Sequence, residues 1–261
     1  MESQGGHGQQ GISKVLPHEL SNIAHVVAVM SGKGGVGKSS VTALLATALK
    51  RKGLSVGVLD ADITGPSIPR MFGVTQRPEI TDMGMFPPKS GGGIEIMSLN
   101  LLLDSEDDPV IWRGPLIAGA VKQFWTDVIW GDLDYLLIDL PPGTGDSPLT
   151  VMQTLPLDGL VIVTSPQELA NMVVRKAIKM AGKMQVPIIG LVENMSYGTC
   201  PHCQERLEMF GPSRGAGMAE DMGIPFLGAL PIDPQLSALC DAGQVEQYEG
   251  VIIEKMQGWL E

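Results

Sequence analysis

Ser31-Gly32-Lys33-Gly34-Gly35-Val36-Gly37-Lys38-Ser39-Ser40 decides how this chain is read. The stretch follows an apolar run at residues 26–30 and leads into an amphipathic segment, and it fits G-x-x-x-x-G-K-[ST] at every fixed position. Glycines at 32, 34, 35 and 37 let the backbone curl so that successive N–H groups face a phosphate. The N-terminus of the following helix adds its positive dipole end. Lys38 is placed to reach the β- and γ-phosphate oxygens, and the Ser39 hydroxyl to ligate Mg²⁺. The loop therefore predicts a nucleoside triphosphate site. Lys33 is a second lysine at the loop apex, too far around the turn to share the role of Lys38, so its ammonium points away from its own phosphates or across to a neighbour's.

On both sides of this loop, short apolar runs alternate with longer amphipathic segments, the pattern of a parallel sheet covered on both faces. Strands are predicted at residues 25–30, 55–59, 94–98, 135–138, 159–164, 187–193 and 226–230. Helices are predicted at 39–52, 116–129, 168–183 and 245–260, and a loop or short hairpin at the Gly/Pro-rich residues 82–93. The expected fold is α/β, a mostly parallel twisted sheet flanked by helices on both faces in three layers. Residues 1–24 are expected to form a flexible tail and 25–261 a single domain.

The 261 residues carry 18 Lys and Arg against 29 Asp and Glu, a net charge of −11. Apolar residues make up 44% and charged residues 18%, the latter below the globular average of about 25%, so a packed core is expected rather than disorder. The acidic balance argues against sequence-independent binding to nucleic acid or to an anionic membrane. No apolar run approaches the ~20 residues needed to span a bilayer. The Gly/Gln/His-rich start lacks the features of a signal peptide, and three cysteines are too few for a disulfide framework, so a cytoplasmic location is expected.

Two predicted strands end in carboxylates, where ligands of open α/β sheets bind. The first leads into Asp60-Ala61-Asp62; Asp62 is placed to orient an attacking water, and Asp60 to support Mg²⁺ or the loop. The second leads into Asp139, which holds Mg²⁺ directly or through water, and Gly143 four residues later offers a backbone N–H to the γ-phosphate. The segment Val192-Glu193-Asn194-Met195-Ser196 has the Asn, without the Lys and Asp, of guanine-reading motifs. Adenine is therefore favoured, with Asn194 as a candidate contact to the base edge.

Cys200-Pro201-His202-Cys203 follows directly. Two thiolates so spaced grip one metal or cluster from the same side, yet a complete thiolate site needs four ligands. Three arrangements are open: two chains sharing one [4Fe–4S] cluster or zinc across a two-fold axis, a redox disulfide, or a site completed within the chain by Cys240 or His202.

Taken together, Lys33 to Ser39, the Asp60 and Asp139 segments, and the Cys pair placed after Asn194 resemble the Mrp/NBP35 (ApbC) family of iron–sulfur cluster carrier ATPases, relatives of the septum-site and partition ATPases and of the nitrogenase iron protein. The resemblance runs from about Val26 to the C-terminus. It implies ATP as nucleotide, a homodimer in which Lys33 reaches the facing subunit's nucleotide, and Asp62 as the switch aspartate. It also implies that Pro231 and Asp233 belong to a second base-contacting loop, and that Cys200 and Cys203 hold a [4Fe–4S] cluster bridging two subunits. Slow ATP hydrolysis coupled to cluster transfer, with scaffold donors and apoprotein recipients as partners, is the function it implies. The rival is a positioning ATPase with structural zinc at the Cys pair; the acidic sequence near residues 246–254 lacks the basic face a membrane-binding relative needs.

Overall fold

The computed structural model describes residues 15–62, 65, 67–103, 114–167 and 170–250. In chain order its elements are β1 (Asn22–Ser31), α1 (Lys38–Arg51), β2 (Val56–Asp60), α2 (Ile68–Met71), β3 (Glu79–Thr81), β4 (Gly84–Phe86), β5 (Glu95–Ser98) and α3 (Gly114–Thr126). Then follow β6 (Asp132–Asp139), α4 (Asp146–Thr154), β7 (Gly159–Thr164), α5 (Ala170–Met184), β8 (Ile188–Thr199), β9 (Arg206–Leu207), α6 (Gly215–Met222), β10 (Phe226–Pro231) and α7 (Pro234–Asp241).

The main sheet runs β10-β8-β7-β1-β6-β2-β5, every neighbouring pair parallel, with β9 added antiparallel to β8. This is the expected fold class. The inner strands are buried on both faces, which is why they read as unbroken apolar runs. Alternation along β1 divides the core. Val26, Ala28 and Met30 face one cluster with Phe124 and Trp125 of α3, whereas Val27 and Val29 face the other with Leu44, Leu45 and Leu49 of α1. The chain leaves β1 toward β6 and β2 on one side, and later toward β7 and β8 on the other. Strand order thus reverses at β1, which puts a crevice at the carboxyl end of the strand that feeds the phosphate loop.

The body begins earlier than the expected boundary at residue 24. β1 starts at Asn22, the Val15 carbonyl accepts from the Trp125 indole N–H at 2.8 Å, and His18 Nε2 lies 2.9 Å from the Met83 carbonyl. The earlier part of the expected tail lies outside the described residues. The hairpin expected at 82–93 is centred upstream, on β3 and β4. The expected last helix is, within the described residues, a 3₁₀ turn at Val245–Gln247 that leads to buried Tyr248; its remainder lies outside them. No described helix is long and apolar enough to cross a membrane.

Candidate functional site

The phosphate loop leaves β1 at Ser31 and enters α1 at Lys38. Gly37 stands at φ 77°, in the left-handed region, and a Cβ there would lie 2.2 Å from Asn194 Nδ2; at Gly34 a Cβ meets open space. Gly37→Ala is therefore expected to lower stability by about 1–3 kcal/mol, and Gly34→Ala by no more than about 0.5 kcal/mol. Urea denaturation of the two variants checks this, and equal midpoints refute it.

Residues 34, 35 and 37–40 line a cavity of about 230 Å³ with Ser31, Asp62, Ser67, Met71 and Pro142. Three residues of the motif face elsewhere. Gly32 is pressed against Val173, where a Cβ would come within 1.6 Å of Cγ1, and Val36 is buried in the core beneath α1. Lys33 turns outward, and its ammonium donates to the Gln167 side-chain carbonyl.

Beneath the cavity lies a cluster of charge. Lys38 Nζ is 2.7 Å from Asp139 Oδ2 and 3.6 Å from Asp62 Oδ2, with all three side chains largely withdrawn from water. Ser39 Oγ donates to Asp139 Oδ2 at 2.5 Å, and Thr42 Oγ1 donates to Asp139 Oδ1 at 2.8 Å. Thr42 was not anticipated, although it stands four residues after Lys38 and so on the same face of α1. Asp60 and Asp139 are register partners at the ends of β2 and β6. Burial first, and then the neighbouring Asp139 charge, push the Asp60 carboxyl up to about 8.

Of the two tasks expected of Asp60, support of Mg²⁺ or of the loop, its hydrogen bonds display the second. It accepts backbone N–H bonds from Asp62 at 3.1 Å, Ser67 at 3.1 Å and Ile68 at 3.2 Å, so its carboxylate organises the loop that carries Asp62. Gly143 is also committed, its N–H donating to the Ser31 carbonyl at 2.8 Å. Asn194, expected at a base edge, is buried and donates from Nδ2 to the Val36 carbonyl at 2.9 Å, bracing the phosphate loop from behind. Asp233 caps α7 through the Gln235 N–H and accepts from the Tyr248 hydroxyl at 2.7 Å, while Pro231 ends β10 as the partner of Tyr197.

Cys200 and Cys203 stand at the tip of the β8–β9 hairpin, Cys200 half-buried and Cys203 exposed. The turn is closed by Cys200 N–H to the Glu205 carbonyl and Gln204 N–H to the Cys200 carbonyl, both 2.9 Å. Backbone N–H groups of Cys203 and His202 directed at the Cys200 sulfur hold its thiol below the usual range, which favours the thiolate. Around this tip Leu207, Met209 and Phe210 are exposed. Cys240, on α7, is turned into the core cluster, where burial pushes its thiol up, and His202 is exposed. Among the described residues no three or more His, Cys, Asp or Glu side chains converge as a metal site.

The family model for NUBPL iron-transfer P-loop NTPases matches residues 22–257. An iron–sulfur cluster carrier protein of Methanocaldococcus jannaschii is 46% identical over 257 residues, covering 93% of this chain and 89% of that one. A cytosolic Fe–S cluster assembly factor, CFD1 of Chaetomium globosum, is 47% identical over 88% of this chain and 81% of its own. Among solved structures, a nucleotide-binding protein from Archaeoglobus fulgidus in complex with ADP superposes with a TM-score of 0.81 at 48% identity, covering 89% of this chain and 91% of that one.

Proposed function

For a chain that belongs to the iron-transfer P-loop NTPase family, we propose an ATP-dependent iron–sulfur cluster carrier that acts in the cytoplasm as a homodimer. Its cargo is a [4Fe–4S] cluster held between two subunits and passed from a scaffold donor to apoproteins. One observation carries the reading: the Cys200–Cys203 pair is displayed at an exposed hairpin tip on the strand whose Asn194 braces the phosphate loop. Two thiolates per chain make half of a four-ligand set, and a two-fold axis supplies the other half. Cluster ligands near water suit transfer rather than storage. The names of the curated relatives favour this reading over a positioning ATPase with structural zinc.

The nucleotide is ATP, its phosphates cradled by the loop N–H groups between Gly32 and Ser40. Lys38 turns from Asp139 and Asp62 to the β- and γ-phosphate oxygens. That exchange leaves the carboxylates without their cation. The Ser39 hydroxyl and Asp139 carboxylate, already 2.5 Å apart beneath the cavity, are the oxygen donors that suit Mg²⁺. The ion would neutralise charge on the β- and γ-phosphates. Asp62, released from Lys38, orients the water that attacks the γ-phosphorus as the bond to the bridging oxygen of ADP breaks. Asp60 holds the Asp62 loop in place, and Lys33 from the facing subunit stabilises charge in the transition state. Asn194 acts through the phosphate loop it braces, and Pro231 and Asp233 belong to the base-contacting loop at the end of β10. Hydrolysis is slow, as befits a switch.

The test is made without oxygen. The protein is reconstituted with iron and sulfide, and iron, sulfide, zinc and molar mass are determined together, with a Cys200→Ala/Cys203→Ala variant alongside. About four irons and four sulfides per dimer, lost in the variant while it stays folded, are expected. Zinc without sulfide, or undiminished iron in the variant, overturns the reading.

A further inference from the structure

Glu193 is fully buried in the middle of β8, and the chemistry above does not use it. Just beyond it the strand departs from register: Glu193 pairs with Ala229 and Tyr197 with Pro231, so three residues of β8 face one of β10. Met195, at the centre of this bulge, has φ 56°, a left-handed conformation that a non-glycine residue adopts only when its surroundings impose it. Bulges re-aim side chains. This one aims Asn194 at the Val36 carbonyl of the phosphate loop, over the space that a side chain at residue 37 would occupy.

The Glu193 carboxylate gathers the chain on both sides of the cysteines. Its Oε2 accepts from Ser196 Oγ at 2.6 Å, on the leg that leads out to Cys200. The same oxygen accepts from Ser213 Oγ at 2.5 Å, and Oε1 from the Arg214 N–H at 2.9 Å, on the leg that returns from β9. Between these two legs stands the hairpin with Cys200 and Cys203. One strained bulge therefore touches the phosphate loop on one side and, through a single buried carboxylate, fastens both roots of the cysteine hairpin on the other.

We propose that Glu193 and Asn194 are positioning residues that transmit the state of the phosphate loop to the cysteine pair. Asn194 follows the Val36 carbonyl, the bulge shifts between two arrangements, and Glu193 carries both hairpin legs with it. The inference rests on the carrier reading only in taking Cys200 and Cys203 as the working thiols. It needs no cluster to be tested.

In the reduced, metal-free protein, alkylation of Cys200 and Cys203 by iodoacetamide is followed by peptide mass spectrometry, with and without saturating Mg·ADP. Nucleotide is expected to change the rate by about fivefold or more. Ser213→Ala, far along the chain from the phosphate loop, should bind ADP as the wild type does yet lose that change, and Ser213→Thr, which keeps the hydroxyl, should restore it. Asn194→Ala, measured at its own saturating ADP concentration, should lose it too. A wild-type rate indifferent to nucleotide overturns the proposal, as does an undiminished change in both alanine variants. Loss of ADP binding in Ser213→Ala also overturns it, because the serine would then belong to the nucleotide site. Failure of the protein to load iron would leave this readout intact, so the two readings fail separately.

Discussion

Lys38→Ala is expected to destabilise the nucleotide-free protein by about 3–5 kcal/mol, besides reducing hydrolysis by about a hundredfold or more. The lysine ammonium lies 2.7 Å from Asp139 and 3.6 Å from Asp62, and the side chains of Lys38, Asp62 and Asp139 are only 5%, 12% and 0% exposed. Asp60 adds a third carboxyl, pushed up to about 8 by burial and by Asp139, with Lys38 the leading influence in the other direction. Without the cation these carboxylates face one another at low dielectric, and part of the loss is relieved by taking up a proton. The pH dependence has a definite sign. An acid whose folded value lies above its unfolded value of 3.8 contributes stability below the unfolded value and loses it as pH rises through the folded one. Removing Lys38 lifts Asp60 further, so the share of the deficit that Asp60 carries should stay level while that carboxyl is protonated in both folded proteins and grow as pH rises above about 8. Urea denaturation in the presence of a chelator measures this. The double variant Lys38→Met/Asp139→Asn, which removes both members of the closest pair, should recover part of the loss at pH 8. A Lys38→Ala protein as stable as the wild type at pH 8 would show that the charge cluster does not hold the site together.

What the sequence discloses about this molecule follows the range of the forces involved. The strands β1, β2, β6 and β7 are legible because burial on both faces writes them as short apolar runs, and the phosphate loop because its glycines and its lysine act within ten residues of one another. The short helices are less so. Gly215–Met222 contains two glycines and forms because Met218 and Ala219 pack into the core, which no local propensity announces. Pro234–Asp241 carries its start signal openly, Asp233 as cap and Pro234 at the first position, yet those residues also suited a base-contacting loop. The site divides in the same way. Ser39 follows from the phosphate-loop motif, and Thr42 from helical spacing four residues after Lys38. The partner of Asn194 is Val36, 158 residues away, and Glu193 meets Ser213 and Arg214 twenty and twenty-one residues on, so neither contact leaves a local trace. Asp60 differs again: its carboxyl is where the pattern puts it, but that the backbone N–H groups of Asp62, Ser67 and Ile68 converge on it depends on how the loop folds back, which the strand pattern does not record.

Lys33→Ala should lower ATP hydrolysis by about a thousandfold while changing stability by no more than about 0.5 kcal/mol. The contrast with Lys38 lies in where the two ammonium groups stand. Lys38 is buried among carboxylates, whereas Lys33 turns away from the cavity to Gln167, so the chain on its own gives it no phosphate to act on. If it acts across a two-fold interface, each working site consists of one subunit's Asp62 and the other subunit's Lys33. Mixing decides between this and action within one chain. Subunits carrying Lys33→Ala and subunits carrying Asp62→Ala are each inactive alone. In a mixed dimer, the site with an intact Asp62 receives Lys33 from the subunit that still has it, while the other site lacks both. Random pairing should therefore restore roughly a quarter of wild-type hydrolysis, from half the dimers with one of two sites working. A lysine serving its own nucleotide allows no rescue, because every site then lacks one group or the other. Steady-state phosphate release at equal total protein gives the answer. An inactive mixture, from variants shown by molar mass to dimerise with ATP, would return Lys33 to its own subunit and remove the chief reason for requiring a face-to-face pair in hydrolysis.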